Sequence, residues 1–389
     1  MNPYHTARLL LAVWLGVFSH LLTAAEPLVT RTADGAQQSV RDGVTLLSLV
    51  GDPATLGRQA GDLLAPQTQV MLTALSLHPA MTGMLRAGDA DQRIADIPAE
   101  YRDEIIAWAK SATCDVGTLL RANLAVDVLC TAAVRLPEAG NDRPLMIARN
   151  MDFAPAQLLG PRTVLITRRP TGRRASLSIG WPGYAGIVSG MNDAGVSACL
   201  LLNHAAAPNA SGASLGFRLR AILERAGNLQ EALALFSATP TGSSNYVLFA
   251  DATSAVVVWW NGQTVERMES NNGWVLCTNA RIDPDTRLPT DARGHRAHEL
   301  TRERGDPDIE WMKGLLSATY MPGINAQAMV LVPATRTVHL AIFDGKAAAL
   351  SPWHLLDAAR LMAGEDLATV PVVNSPAISV PFPHYAGAR

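Results

Sequence analysis

Leu129-Cys130-Thr131-Ala132-Ala133-Val134-Arg135 and, after a polar break, Leu145-Met146-Ile147-Ala148-Arg149-Asn150-Met151-Asp152 mark the place where the character of this chain changes. Upstream, residues 40 to 128 read as mostly helical. A short apolar strand, Val44 to Val50, leads into Gly51-Asp52-Pro53 and a helical stretch through Gln69. Pro98 opens a longer pattern in which Ile105, Ile106, Trp108, Ala109, Leu119, Leu120, Leu124 and Val128 recur at helical spacing, with a break at Gly117. Downstream the period shortens to that of strands: Leu145 to Ala148, Thr163 to Thr167, Ala175 to Ile179, Ala185 to Ser189 and Val196 to Leu202, with a tight turn at Asn192-Asp193-Ala194-Gly195.

The same alternation then repeats. Ser214 is placed to cap a helix over Leu215 to Arg225, and Asn228 with Glu231 resembles a capping box for Leu229 to Ser237. A second strand block follows: Tyr246 to Ala250, Ala255 to Trp260, the Asn261-Gly262 hairpin signal, Thr264 to Met268, and Trp274 to Thr278. Helical patterns return at Arg293 to Arg304 and Asp308 to Leu316. A hairpin joins Ala328 to Val332 with Thr337 to Phe343, and Ser351-Pro352 looks like the start of a last helix, Trp353 to Ala363. Two strand groups alternating with paired helices predict an α+β fold of antiparallel sheets covered by helices. The proline-containing tail from Val370 is expected to wrap the surface.

Composition narrows the function. With 389 residues, 48% hydrophobic and 17% charged, the chain can bury a large core. A net charge of -2 gives no sign of nucleic-acid binding. The densest basic run, Arg168 to Arg174, surrounds a Pro/Gly turn and reads as a solvated hairpin tip. Met1 to Arg8, the apolar run Leu9 to Leu22 and the small residues Thr23-Ala24-Ala25 have the three-part layout of a secretory signal. The expectation is a signal at residues 1–25 and a periplasmic or secreted protein with no stable membrane insertion afterwards. Of the four cysteines, Cys199 and Cys277 fall in apolar strand-like runs; disulfide pairing among Cys114, Cys199 and Cys277 stays open. His295 and His298 are one helical turn apart but lack further ligands at metal spacing, so no metal and no cofactor is implied.

Cys130 alone reads as an ordinary core cysteine; its neighbourhood changes that. The ordered series Cys130-Thr131, Arg149-Asn150-Met151-Asp152, Gly190-Met191-Asn192-Asp193-Ala194-Gly195, Leu202-Asn203 and Leu276-Cys277-Thr278-Asn279 resembles the choloylglycine hydrolase and isopenicillin-N acyltransferase superfamily of cysteine N-terminal nucleophile hydrolases. The acyltransferase branch (acyl-CoA:6-aminopenicillanic acid acyltransferase) matches better, because Gly51-Asp52-Pro53 through Gly57-Arg58-Gln59-Ala60-Gly61 and Glu104 to Ala109 fit upstream. The likeness spans roughly residues 44 to 345.

That resemblance implies a four-layer αββα sandwich with a mainly helical pro-segment, 26–129, that separates from a catalytic region, 130–389, when the chain cuts itself before Cys130. It implies Cys130 as nucleophile, and Arg149 and Asp152 as the pair holding the cysteine and its α-amine. Asn203 and Asn279 become the oxyanion-side and substrate-positioning asparagines, and Arg293 closes the polar network. The partners implied are a small N-acylated substrate and the protein's own N-terminal fragment.

Elementary chemistry supports such a site independently. A thiol with a pKa of about 8.5 is mostly protonated at neutral pH, whereas an α-amine titrates at about 7.7 to 8.0 and can take its proton. Both groups then belong to one residue, and no histidine is required. Asp152 can accept from the ammonium, Arg149 can favour the thiolate, and asparagine amides can donate to a tetrahedral oxyanion. Taken singly, Asn203 and Asn279 also fit as strand terminators, and Arg149 with Asp152 as an ion pair on a tight turn.

Leu129 departs from the family, whose members often carry a small residue at the cut site. It favours one rival, a non-catalytic periplasmic small-molecule-binding protein that kept the fold. A second rival is an uncut Cys/His amidase using Cys130 with His204 or His339 as base. Cys114, lacking the Arg/Asp segment, reads as structural. Trp181, Pro182 and Tyr184, in a glycine-rich loop, are candidates to line an apolar acyl pocket.

Overall fold

A computed structural model of the protein describes residues 29–32, 34–77, 90–124, 129–138, 140, 142–203, 214–238, 244–303, 307–379 and 381–385. The signal-like segment 1–25 and His204 lie outside the described residues.

The segment before Cys130 contributes strands as well as helices. Strands β1 (Val29–Arg31), β2 (Gln37–Arg41) and β3 (Val44–Gly51) precede helices α1 (Pro53–Leu77), α2 (Ala90–Ala95), α3 (Ala99–Ser111) and α4 (Val116–Ala122). Helices α1 and α3 meet backbone to backbone at Gly57 and Gly61; a Cβ on Gly61 would stand 2.6 Å from the carbonyl oxygen of Trp108. The break between α3 and α4 falls at 112–115 rather than at Gly117, because the Asp115 side chain accepts from Thr118 N–H and starts α4 there.

Then come β4 (Leu129–Arg135), β5 (Met146–Asp152), the short α5 (Ala156–Leu159), β6 (Val164–Pro170), β7 (Ser176–Gly180), β8 (Ser189–Asn192) and β9 (Ser197–Leu201). Helices α6 (Leu215–Leu223) and α7 (Leu229–Ser237) separate these from β10 (Tyr246–Ala250), β11 (Ala255–Trp260), β12 (Val265–Met268) and β13 (Trp274–Cys277). The chain closes with α8 (Ala292–Glu303), α9 (Ile309–Thr319), β14 (Asn325–Val332), β15 (Thr337–Ile342), β16 (Trp353–Asp357), α10 (Ala358–Ala363) and β17 (Val372–Ser375).

These strands form two sheets. One runs β1-β2-β3-β6-β7-β8-β9-β10-β11-β12, the other β13-β4-β5-β14-β15-β16-β17. Neighbours are antiparallel except the parallel pair β3–β6. Between the sheets lies a core that includes Leu46, Leu165 and Leu177 from one and Ala132, Val134, Ile147, Met329 and Leu331 from the other. Leu47, Leu49, Val164 and Ile166 face outward onto α1, α3 and α4. On the opposite side Ala133, Ala148, Ala328 and Val330 face α8 and α9. The order helix, sheet, sheet, helix is the expected αββα sandwich.

Several local expectations are corrected. Trp353 to Asp357 is a strand, not the start of a helix: β15 offers an open edge, and its pairing with β16 outweighs the Ser-Pro start signal. The tail then supplies β17 on that same edge. Residues 185–188 are not strand, because their backbone groups bond to helices: Ala185 N–H donates to Asn123 Oδ1, and Ile187 N–H to Gly216 O. Ser214 precedes α6 without a side-chain cap. The basic run does turn over an exposed tip, Thr171-Gly172, between β6 and β7, but three of its arginines are ion-paired. Arg168 is fully buried against Glu104, Arg173 pairs with Glu100 and Glu224, and Arg174 with Asp193.

Candidate active site

Strand alternation sets the site. Along β4, Cys130, Ala132 and Val134 point into the inter-sheet core while Ala133 points out. The register places Cys130 opposite Met151 and Ala132 opposite Arg149. Arg149 is therefore the diagonal same-face neighbour of Cys130, and its Nη2 donates to Cys130 Sγ at 3.1 Å and to Leu200 O of the facing sheet at 2.6 Å. Asn150 and Asp152 turn outward instead; Asn150 Nδ2 donates to Leu316 O of α9. The arginine and aspartate thus lie on a strand, on opposite faces, rather than converging on a tight turn.

All three polar groups of Cys130 are held. Its N–H donates to Asn279 Oδ1 at 2.7 Å, its carbonyl accepts from Arg293 Nη1 at 3.1 Å, and its sulfur accepts from Arg149. Arg293 is the hub. It also donates to Asn279 Oδ1 (3.0 Å), to Thr131 Oγ1 (3.3 Å) and to Asp291 Oδ2 (3.0 Å), and stands 3.6 Å from Asp152 Oδ2. Asn279 Nδ2 donates to Leu202 O at 2.8 Å. Asn203, next along the chain, is tied elsewhere: its N–H donates to Asn245 Oδ1 and its Nδ2 to Ser244 O. Of the residues singled out in the sequence, Cys130, Arg149, Asp152, Asn279 and Arg293 thus meet in one cluster, with Asn203 at its edge.

The electrostatics follow from burial. Cys130 is fully buried, and its thiol is pushed up to about 12 by desolvation, against the pull of Arg149. Burial also raises Asp152 to about 6, against Arg293 and the donors Met321 N–H and Asn325 Nδ2. Asp152 Oδ2 and Arg149 Nε and Nη1 have no hydrogen-bond partner. Such orphans are expensive in a core and point to a site awaiting a ligand or a new charge.

The rivals sit apart. Cys114 is half-buried between α3 and α4, its thiol raised by desolvation alone. His339 pairs with Val330 on the outer face of its sheet and is lowered to about 4 by burial and Lys313. Cys199 and Cys277 are buried free thiols, and none of the four cysteines is bridged. Trp181, Pro182 and Tyr184 line an apolar cleft of about 490 Å³, part of it open solvent, with Met71, Leu75 and Leu119 from before Cys130 and Phe153 from just after Asp152. Sequence reasoning missed Asn325 and Asp291, which orient Asp152 and Arg293. Asn325 had no local signal, since its partner Asp152 is 173 residues away, whereas Asp291 stands two residues before Arg293 and was within reach of a closer reading of that helix start.

The two sheets thus face each other between helical layers, and the polar cluster gathers around β4 and β5. Residues 138–303 match the acyl-coenzyme A:6-aminopenicillanic acid acyl-transferase family, the family recognised in the sequence. The matched stretch holds Arg149, Asp152, Asn203, Asn279 and Arg293 and begins beyond Cys130. The chain is similar to an N-acylethanolamine-hydrolyzing acid amidase ortholog of Caenorhabditis elegans (22% identity, 52% of this chain and 93% of that one, TM-score 0.43). It is similar also to a mutant of the conjugated bile acid hydrolase of Clostridium perfringens (13%, 63% and 96%, TM-score 0.44). A third is penicillin V acylase from Agrobacterium tumefaciens (14%, 66% and 99%, TM-score 0.41). Among curated proteins no sequence matches.

Proposed function

We propose that this chain is an exported, self-processing amidase or acyltransferase that forms a thioester between Cys130 and the acyl group of a small N-acylated substrate. One observation carries the reading: the amide, the carbonyl and the sulfur of Cys130 are each held by a different polar side chain. A cysteine that merely fills a core needs none of these.

Maturation starts when Cys130 Sγ attacks the Leu129 carbonyl. The C–N bond breaks, the acyl group moves to sulfur, and water hydrolyses the thioester to a Leu129 carboxylate and a free thiol. Asp152, paired in register with Leu129, then faces a new α-ammonium with an oxygen that has no hydrogen-bond partner. That ammonium adds a positive charge beside Sγ in the same sense as Arg149 and lowers the thiol from its buried value. In turnover the thiolate attacks the substrate carbonyl, the α-ammonium returns a proton to the departing amine, and water or a second amine resolves the thioester. The cleft beside Trp181 favours an apolar acyl group, and much of its wall comes from the pre-Cys130 helices. Cleavage therefore leaves a fragment that stays in place as part of the site. Export rests on Leu9 to Leu22 and Thr23-Ala24-Ala25. Among the described residues no helix is long and apolar enough to cross a membrane.

Intact-mass analysis of purified protein tests this. Wild type is expected to yield two fragments, the larger beginning at Cys130. Cys130→Ala should stay one chain without activity, and Cys114→Ala should process normally. Uncut wild-type protein that still hydrolyses amides would overturn the N-terminal-amine mechanism.

A further inference from the structure

The last described residues, 381–385, do not simply lie on the surface. Phe382 packs against Trp311 (ring centroids 5.8 Å) and over Gly314 of α9, where a Cβ would come within 2.9 Å of its ring. Phe382 N–H donates to Ser317 Oγ, and Tyr385 N–H to Ala318 O. Pro383 O accepts from Arg296 Nε of α8 at 3.0 Å. His384 Nε2 lies 2.9 Å from Tyr320 O, so that nitrogen carries the proton, and its ring sits against those of Tyr320 (4.5 Å) and Tyr385 (4.3 Å). Backbone and side-chain bonds thus converge on the C-terminus of α9 and the turn after it.

That turn reaches the site. Met321, the residue after Tyr320, donates its N–H to Asp152 Oδ1 at 3.1 Å. The second donor to the same oxygen is Asn325 Nδ2 at 2.9 Å, from the first residue of β14. The carboxylate is aimed by the turn 320–325, and one side of that turn is pinned by the tail.

We propose that residues 382–385 form a C-terminal clasp that positions Asp152 through the Tyr320–Met321 turn, with His384 as its positioning residue. The proposal rests on the reading of Asp152 as the carboxylate of the active site. The charged and titratable groups that act on Asp152 are Arg293 of α8, itself paired with Asp291, Arg149 across its own strand, Cys130 on β4, and Tyr385 of the clasp, with Tyr320 behind Tyr385. The Tyr385 phenol is raised by burial and feels both Arg293 and Asp152, which puts the clasp within electrostatic reach of the pair. Releasing the clasp lets Met321 N–H drift from Oδ1. A carboxylate that loses a donor is less stable as the anion, so its pKa rises.

The test labels the full chain with aspartate carrying carbon-13 at its carboxyl and follows the Asp152 signal, assigned by its loss in Asp152→Asn, through a pH titration. His384→Ala should raise its midpoint by about half a unit to one unit over that of the parent protein. His384→Gln, which keeps a donor for Tyr320 O and cannot titrate, should restore it. The acid limb of kcat should move with the midpoint while KM holds. A lower Tm with an unmoved midpoint would reduce the clasp to a stabilising strap and overturn the proposal. Should His384→Ala not fold, Arg296→Ala loosens Pro383 more gently and should shift the midpoint in the same direction; no shift there overturns it equally. A moved midpoint in a protein whose activity ignores Asp152→Asn would sink the active-site reading and leave the clasp standing.

Discussion

Two buried clusters of arginine and carboxylate lie in this molecule, on opposite faces of the ten-stranded sheet, and they differ in how far they are satisfied. In the first, Glu104 of α3 holds Arg168 Nε at 3.2 Å and Arg220 Nη2 at 2.6 Å, while Glu224 holds Arg220 Nε, Arg173 Nη1 and the Tyr101 hydroxyl. Arg168 spends its remaining donors on Ser178 Oγ and Tyr184 O, and Arg220 on Ala185 O. In the second, around Cys130, Asp152 Oδ2 and two nitrogens of Arg149 have no hydrogen-bond partner. Equal burial with unequal satisfaction distinguishes the two: the first behaves as a structural network, and the second is the one that the proposed function uses for chemistry. The satisfied cluster also joins the pre-Cys130 segment to the rest, since Tyr101 and Glu104 precede the cysteine and every arginine in it follows.

The comparison breaks most visibly under truncation. Glu104→Ala leaves two buried guanidinium groups without their shared carboxylate, and is expected to cost about 3 to 5 kcal/mol, read by denaturant unfolding. Arg149→Met should do the reverse. It removes a cation with unsatisfied donors and replaces it with a side chain of similar length, so stability should hold or rise. Turnover should fall about a hundredfold or more, as expected when a charged donor to the reacting atom is lost. Equal stability losses in the two variants would erase the distinction.

The two clusters also carry opposite pH signs. Burial raises Asp152 to about 6, above its unfolded value of about 3.9, so the folded chain binds the extra proton and stability falls as pH rises from about 4 to 6. Burial acts on Glu224 as well, but Arg220, Arg173 and Tyr101 outweigh it and hold the carboxyl below its ordinary value. That contribution is present above the unfolded pKa and is lost as pH falls through the folded one. In the uncut Cys130→Ala chain, Asp152→Asn should therefore raise stability at pH 8 by about 2 to 3 kcal/mol, with the difference gone near pH 4. Glu224→Gln should be less stable at pH 8, with the deficit shrinking in acid. Melting curves of both variants across that range decide it.

Local pattern made much of this legible. The strand period at Tyr246 to Ala250, the Asn228 cap and the helix that begins at Asp308 stand where the sequence puts them. The order of Cys130, Arg149, Asp152, Asn279 and Arg293 was readable through a family likeness, not from any one residue. What stayed hidden depends on partners far along the chain. Glu104 and Arg168 are 64 residues apart, and nothing in the run Arg168 to Arg174 tells a buried pair from a solvated turn. Trp353 to Asp357 carries an apolar pattern that suits either a helix or a strand, and the free edge of β15 chose. Asn325 sits in an apolar strand and matters only because β14 lies beside β5.

The smallest expected effect sharpens the comparison furthest. Tyr101→Phe removes one hydroxyl from the satisfied cluster and nothing else. The ring keeps its stack on Phe217, with centroids 5.8 Å apart, and the Arg220 guanidinium 4.5 Å above its face. Glu224 Oε2 loses the 3.0 Å bond from the phenol but keeps Arg173 at 2.9 Å, so no carboxylate oxygen is stranded. The cost should be about 1 kcal/mol, and in a chain of this size about one degree in Tm. If the network were instead one cooperative unit, each bond polarising the next, the loss would approach that of Glu104→Ala. A double-mutant cycle between Tyr101→Phe and Glu224→Gln separates the two cases: near-additive losses mean independent bonds, and a large coupling energy means the cluster holds together or fails as a whole.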